Sequence, residues 1–258
     1  MVTGMFKKKL FFYGVFGLSI MFIIIPLFTD GYLFCIMQNI GFSILAAYVF
    51  YFVSVFMPRK EKQKQAWKIL NSDKVNIISD MGNIIAIING FMEIMSDNTI
   101  RSKSGFIIDG QAIIRFKINN VLYAENIRYF VKHYTQQLKR DIYSIITNRC
   151  FSNLDDESID NILLLQQSGI LRTFSANFVL SEQNRGEVHY GALHKDYQNF
   201  IKIYRFLSQK QNLPEAKEMT IEESKRCDRV INKIKHSCNA IDRPCGIIIE
   251  GNVGYIPK

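Results

Sequence analysis

The sequence predicts a mainly α-helical fold: an N-terminal two-helix transmembrane hairpin followed by a mostly helical cytoplasmic domain with one small β-hairpin. Three observations carry this reading. Two uncharged apolar runs, residues 10–28 and 33–57, are separated only by Thr29–Tyr32. Basic residues flank the pair on both sides. No proline occurs between Pro58 and Pro214, which leaves that long stretch free to form helices.

The first run reads LFFYGVFGLSIMFIIIPLF and the second LFCIMQNIGFSILAAYVFYFVSVFM. Each has the roughly 20 apolar residues needed to cross a hydrocarbon core of about 30 Å. In lipid only a helix satisfies all its own backbone groups, so both runs are expected to be helices. A four-residue link then makes them antiparallel neighbours. Lys7, Lys8 and Lys9 resemble the positive start of a secretory signal. The run after them is too long for one, however, no small-residue cleavage site follows, and a second span comes at once.

Charge sets the expected orientation. Residues 1–9 carry three lysines and no acid, and residues 58–68 carry five basic residues against Glu61 alone. The link contributes Asp30. Basic residues at the ends of the spans point to cytoplasmic termini on both sides of the pair. The expected arrangement is therefore a multi-pass membrane protein with both termini in the cytoplasm. Residues 69–258 hold 24 basic and 21 acidic residues and are close to neutral, so the net charge of +9 is no sign of nucleic-acid binding. Lys7, Lys8, Lys9, Arg59, Lys60, Lys62 and Lys64 read instead as a collar on anionic headgroups.

Four segments follow: the basic N-terminus 1–9, the hairpin 10–57, a basic juxtamembrane helix 58–71, and a helical domain 72–258. Within the last, residues 72–97 place Ile78, Met81, Ile85, Ile88, Met92 and Met95 at alternating steps of three and four, a helical seam. Ile77, Ile84, Ile87 and Phe91 widen it, so this helix should be buried on more than one side. Asp80, Asn83, Asn89 and Glu93 would each need a partner in lipid, which argues against a third span. Residues 105–118 break the pattern. Asp109-Gly110 suits a hairpin turn, and Ile114–Ile118 alternates with period two. From Val121 the helical period returns through Tyr123, Ile127, Phe130, Tyr134, Leu138, Ile142 and Ile145, to about Arg149. Asn153 or Asp155 opens a further helix, extending as far as Phe178. Residues 183–194 read as loop. Tyr197 to Leu207 mark another helix, and Thr220 with Glu223 forms a capping box for the next, which stops near Asp242. A short strand follows in the apolar tail.

Candidate chemistry is sparse. The sequence has no phosphate-binding loop, zinc-protease, serine-hydrolase or kinase signature. Cys227, His236, Cys238 and Cys245 could supply a Cys3His zinc site, but the close cysteine pair that marks such sites is missing. His189 and His194 are five apart, off register for one helical face. Asp155, Asp156, Glu157 and Asp160 suit a helix N-terminus better than a cation. No metal, cofactor or catalytic residue is expected. The stronger signal lies in the second span. Gln38 and Asn39 are amides in hydrocarbon, and Gly41, Ser43, Ala46 and Ala47, with Gly14 and Gly17 opposite, are small enough for close helix contact.

Two spans with a four-residue outer turn, basic ends at Lys7–Lys9 and Pro58–Lys68, and a helical domain without catalytic motifs resemble the small two-span membrane effectors of bacterial anti-phage systems. Those encoded beside retron reverse transcriptases are among them. The resemblance covers about a quarter of the chain and rests on architecture. It implies a soluble domain that receives a signal and spans that then compromise the membrane and kill the infected cell. The expected partners are the lipid bilayer, further copies of the chain, and a cytoplasmic protein or ribonucleoprotein, with no direct nucleic-acid contact. The alternatives are a passive anchored scaffold that recruits a cytoplasmic partner, and a membrane-tethered enzyme centred on His189, His194 or the cysteines. The charge pattern gives a direct prediction. A reporter active only outside the cytoplasm should be active when inserted at Asp30 and silent when fused after Lys258, and activity at the C-terminus would reverse the orientation.

Overall fold

The computed structural model describes residues 14, 16–21, 24, 32–103, 114–118, 121–176, 191–237, 247–248 and 254–255. The fold is mainly α, with small antiparallel sheets. The chain divides into two compact units, Met1–Lys68 and Ile69–Lys258.

In the first unit, the described residues of the first apolar run, 14, 16–21 and 24, are helical. The second run forms α1 (Tyr32–Tyr51), a π-helical turn (Phe52–Phe56) and α2 (Met57–Ile69) without a break. Among the described residues, the stretch Ile36–Ile69 is the one helix long and apolar enough to cross a membrane, and almost none of its most apolar part is buried. The π turn has a local cause. Pro58 has no N–H to give, and its ring would press on the carbonyl of Ser54 four residues back. Just before it, the Met57 amide reaches Phe52 O, five residues back, which widens the turn. Phe52 and Phe56 stack there at 5.2 Å between centroids. Phe16 meets Tyr48 at 5.2 Å, so the two apolar runs touch.

The second unit is built around α3 (Asn71–Phe91). Met81, Ile84, Ile85, Ala86, Ile87 and Ile88 are all at most 2% exposed. A helix covered on successive positions must have neighbours all round. They are α4 (Ile127–Thr147), α7 (Leu193–Ser208), the strand β1 (Met92–Ile94) and the strand β5 (Ala216–Glu218). This matches the expectation of burial on more than one side. The helix is shorter than its periodicity suggested, and Met92 and Met95 lie beyond it. Met92 turns to extended backbone, and β1 pairs with β2 (Ile100–Ser102). Lys103 accounts for the stop. Its amide donates to Phe91 O at 3.0 Å and its ammonium to Asn89 O, so one residue satisfies two end carbonyls and places a cation at the negative end of the helix.

The predicted alternation at Ile114–Ile118 is a strand, β3. Phe116 and Ile118 are buried, while Arg115 and Lys117 face away from the core. Its hairpin partner differs from the expected one. The strand β4 (Val121–Glu125) pairs with it from Ile118↔Val121 to Ile114↔Glu125, which leaves Asn119 and Asn120 between the paired strands. Tyr123 is therefore a strand residue and not the first turn of a helix. The Asp109-Gly110 turn lies outside the described residues. β5 completes a sheet in the order β4-β3-β5, with Phe116 opposite Glu218. Asn126 then starts α4, its Oδ1 accepting the Tyr129 amide at 3.1 Å.

Beyond α4 come α5 (Asp156–Gln166) and α6 (Gly169–Ser175), which interrupt the continuous helix expected to Phe178. Ser168 is the reason: its Oγ accepts the Ile170 amide and restarts the helix. Asp155 caps α5 through Ser158, as the acidic run predicted. The Thr220–Glu223 capping box is present at the start of α8 (Ile221–Ser237). Arg115 and Lys117 reach this helix from β3, pairing with Asp228 at 2.8 Å and Glu223 at 2.7 Å. Two-residue strands β6 (Ile247–Ile248) and β7 (Gly254–Tyr255) pair in the tail.

Gly90 sets how closely α3 approaches β5. A Cβ there would lie 2.3 Å from Ala216 O. Gly90→Ala must push the helix off the sheet edge, at a cost of about 1–3 kcal/mol. Thermal unfolding of the purified chain should show a midpoint lower by roughly 2–10 °C. An unchanged midpoint would mean that the α3–β5 approach is not close.

Candidate functional site

Two features hold chemistry that a bland helical protein would lack. One is the amide-bearing face of α1; the other is a buried carboxyl pair in the second unit.

On α1, Met37, Gln38, Ile44, Leu45 and Tyr48 are half-buried and Gly41 is buried. Their spacing of three and four residues marks one helical side. The Phe16–Tyr48 contact and the buried Ser19 place the first apolar run against it. Ile36, Asn39, Ile40, Phe42, Ser43, Ala46, Ala47, Val49 and Phe50 are exposed. The two adjacent amides thus divide. Gln38 belongs to the side that meets the first run and Asn39 to the open side. Ser43 Oγ donates to Asn39 O at 2.8 Å, so that hydroxyl is satisfied within its own helix. Neither carboxamide has a hydrogen-bond partner among the described residues.

The collar begins where the π turn ends. Arg59, Lys60, Lys62 and Lys64 are all exposed. Lys60 Nζ lies 4.9 Å from the centre of the Phe56 ring, holding a cation above the last aromatic ring of the apolar stretch. Lys7, Lys8 and Lys9 lie outside the described residues.

The carboxyl pair joins α3 to α4. Asp80 and Asp141 are 6% and 9% exposed. Burial comes first in raising the Asp80 carboxyl, followed by the charge of Asp141 and a hydrogen bond to it; together they push it up to about 8. Asp141 is raised by its own burial and by the charge of Asp73, while the hydrogen bond from Asp80 and the cation of Arg140 pull it back. The pair therefore retains a proton at neutral pH, and burial favours it on Asp80. Asp73 makes a second tie between the helices, accepting from Ser144 Oγ at 3.0 Å. Next to the pair, Tyr134 hydrogen-bonds Tyr123, and burial pushes both phenols up. Tyr134 also feels the charges of Asp80 and Glu125. Phe116, Tyr123 and Phe130 pack around this group with ring centroids 5.1–5.3 Å apart. A neutral acid between two packed helices is a proton-dependent joint. The sequence treats Asp80 only as a residue costly in lipid, and what could have revealed the joint is an acid on the buried stripe of each helix.

The remaining candidates have structural roles. His194 sits in the first turn of α7, where its amide donates to Asn98 Oδ1 at 3.0 Å. Its Nδ1 lies 3.2 Å from Ile94 O, which places the ring proton on that nitrogen. It ties the β1–β2 turn to α7. His189 lies outside the described residues. Cys227 is buried, and burial pushes its thiol up. Cys238 and Cys245 lie outside the described residues, and among the described residues no group of three potential ligands comes together. Asn89 joins α3 to its surroundings, accepting from Tyr197 Oη at 2.9 Å and donating to Pro214 O at 3.2 Å. A scan of protein-family models and searches of curated proteins and of solved structures found no match to this chain.

The joint gives a pH dependence with a defined sign. The ordinary value for Asp80 is 3.8 and its folded value is about 8. The unfolded chain ionises first, so the Asp80 contribution to stability is greatest at acid pH and is lost as pH rises from about 4 to about 8. Glu223 has the opposite sign in a separate window. A hydrogen bond from Lys117 and one from the Thr220 amide hold it at about 2 against 4.5, so its contribution is lost only as pH falls below that ordinary value. Asp80→Asn imitates the protonated acid and should flatten the fall between pH 5 and 8, raising the unfolding midpoint at pH 8 by at least roughly 2–4 °C. Parallel curves for parent and variant would show that Asp80 is not the titrating group.

Proposed function

We propose that this chain is an inner-membrane effector of an antiviral, anti-phage defence system. In this reading residues 10–28 and 33–57 cross the membrane as a hairpin with both termini in the cytoplasm. The cytoplasmic unit receives a signal from a protein or ribonucleoprotein partner, and the spans then breach the membrane of the infected cell. The architectural resemblance described above supports this reading. The observation that carries it is Asn39, an amide on the open side of an otherwise apolar, uncovered helix. A plain anchor gains nothing from a polar group facing hydrocarbon, where it costs free energy until it finds a partner or water. The proton-dependent joint between α3 and α4 offers the cytoplasmic unit a way to hold more than one packing state.

One observation favours the passive scaffold instead. Gln38 is half-buried on the hairpin side, and an amide there can serve simply to fix two helices together. The test separates the two readings. Overproducing the full chain should dissipate the membrane potential, read with a potential-sensitive dye. Replacing both amides (Gln38→Leu with Asn39→Leu) should abolish the effect while leaving membrane insertion and protein level intact. Depolarisation that survives the double substitution would separate the breach from the amides. A parent chain that leaves the potential untouched, alone or with its signalling partner, would favour the scaffold.

A further inference from the structure

We infer that the open side of α1 is an interface for a second copy of this chain, with Asn39 facing Asn39 of the other copy. The inference rests on the membrane reading above and identifies the surface through which the spans assemble. At 3.6 residues per turn, Asn39, Ser43, Ala46 and Phe50 fall within about 60° of one another, on the side roughly opposite Gly41 and Tyr48. The hairpin has already used the Gly41–Tyr48 side, where Gly41 is buried and Tyr48 meets Phe16. It leaves the Asn39 side uncovered.

Asn39 lies six residues into the apolar run from Leu33, or roughly 9 Å from its end. At that depth lipid tails offer no donor or acceptor. Its carboxamide has two donors and one acceptor to place, and no partner for them among the described residues. A second copy inserted with the same topology puts an identical amide at the same depth. Rotation about an axis along the membrane normal brings the two together, each donating to the other. A different protein would need a polar group at that level by coincidence. Ser43 supports close approach, because its hydroxyl is already bound to Asn39 O and brings no unmet need. Ala46 and Ala47 add little bulk, so the two backbones can come near enough for amides to meet. The surrounding Ile36, Ile40, Phe42, Val49 and Phe50 are exposed and supply the packing.

The test is thiol cross-linking of the full chain in membranes. Cys35 is first replaced by Ala, so that an introduced cysteine is the only one in the second span. Ala46→Cys reports the open side and Ile44→Cys the hairpin side. Mild oxidation should give a cross-linked dimer with Ala46→Cys and little with Ile44→Cys. Adding Asn39→Leu to Ala46→Cys should weaken association roughly tenfold and reduce the dimer accordingly. Asn39→Gln should retain it. Dimer formed equally at Ile44, or dimer at Ala46 that is indifferent to Asn39→Leu, would overturn the inference. Potential measurements on the same membranes keep the two proposals apart. Cross-linking without depolarisation leaves this interface standing while the effector reading falls. Depolarisation without cross-linking at Ala46 leaves the effector reading standing while this interface falls.

Discussion

The second unit depends on enclosing the middle of α3, and that burial favours the uncharged form of Asp80. That helix is surrounded by α4, α7 and two strands, and its middle turns are almost wholly withdrawn from water. A carboxylate in such a place would carry a large desolvation cost. Sharing one proton with Asp141 removes most of that cost and adds a tie between the two helices that make the most extensive contact in the unit. Asp73 with Ser144 repeats the tie nearer the start of α3. Asn89, near the end, is bound by Tyr197 and Pro214. These polar residues of α3 are thus spaced along it as fixed points, and the isoleucines between them fill the core.

The chain uses apolar helix in two settings, one uncovered and one enclosed by protein. α1 and α3 are about equally long and both carry extended apolar stretches, yet one is largely exposed and the other is largely covered. Length does not separate them. The placement of polar groups separates them well. In α3 the side chains of Asp73, Asp80 and Asn89 each meet a named protein partner. In α1 the polar groups are few, uncharged and small, and the charges wait until Arg59, after the π turn.

Much of this was legible in the sequence because it follows from local rules. The period of α3, the alternation in β3, the Thr220–Glu223 capping box and the acidic start of α5 each depend on a few adjacent residues, and each is present. The failures lie where a distant residue decides. α3 stops early because Lys103 caps it from beyond a turn. Tyr123 matches the helical spacing of α4, but pairing with β3 holds it in a strand, and Asn126 starts the helix later. Asn119-Asn120 between two β-type runs was the available hint of that hairpin. The carboxyl joint was hidden for the same reason, since Asp80 and Asp141 are 61 positions apart and meet only when α3 and α4 pack. In α1 the reverse holds: Gln38 and Asn39 are neighbours in sequence and serve different sides of the helix.

The widened turn before Pro58 affects more than the proline. One extra residue in a turn rotates everything after it by about 100° relative to an uninterrupted helix. A helical wheel drawn through Phe52–Phe56 is therefore out of phase at its far end. The azimuth of any one face of the apolar stretch does not continue down the basic segment as a straight line. It steps around the axis, so that a different set of lysines follows any given residue of the apolar stretch. Deleting one residue from this turn would return it to regular α-helix and leave the far half at nearly its present azimuth, whereas deleting one from the regular helix on either side would turn that half by about 100°, like a key in a lock.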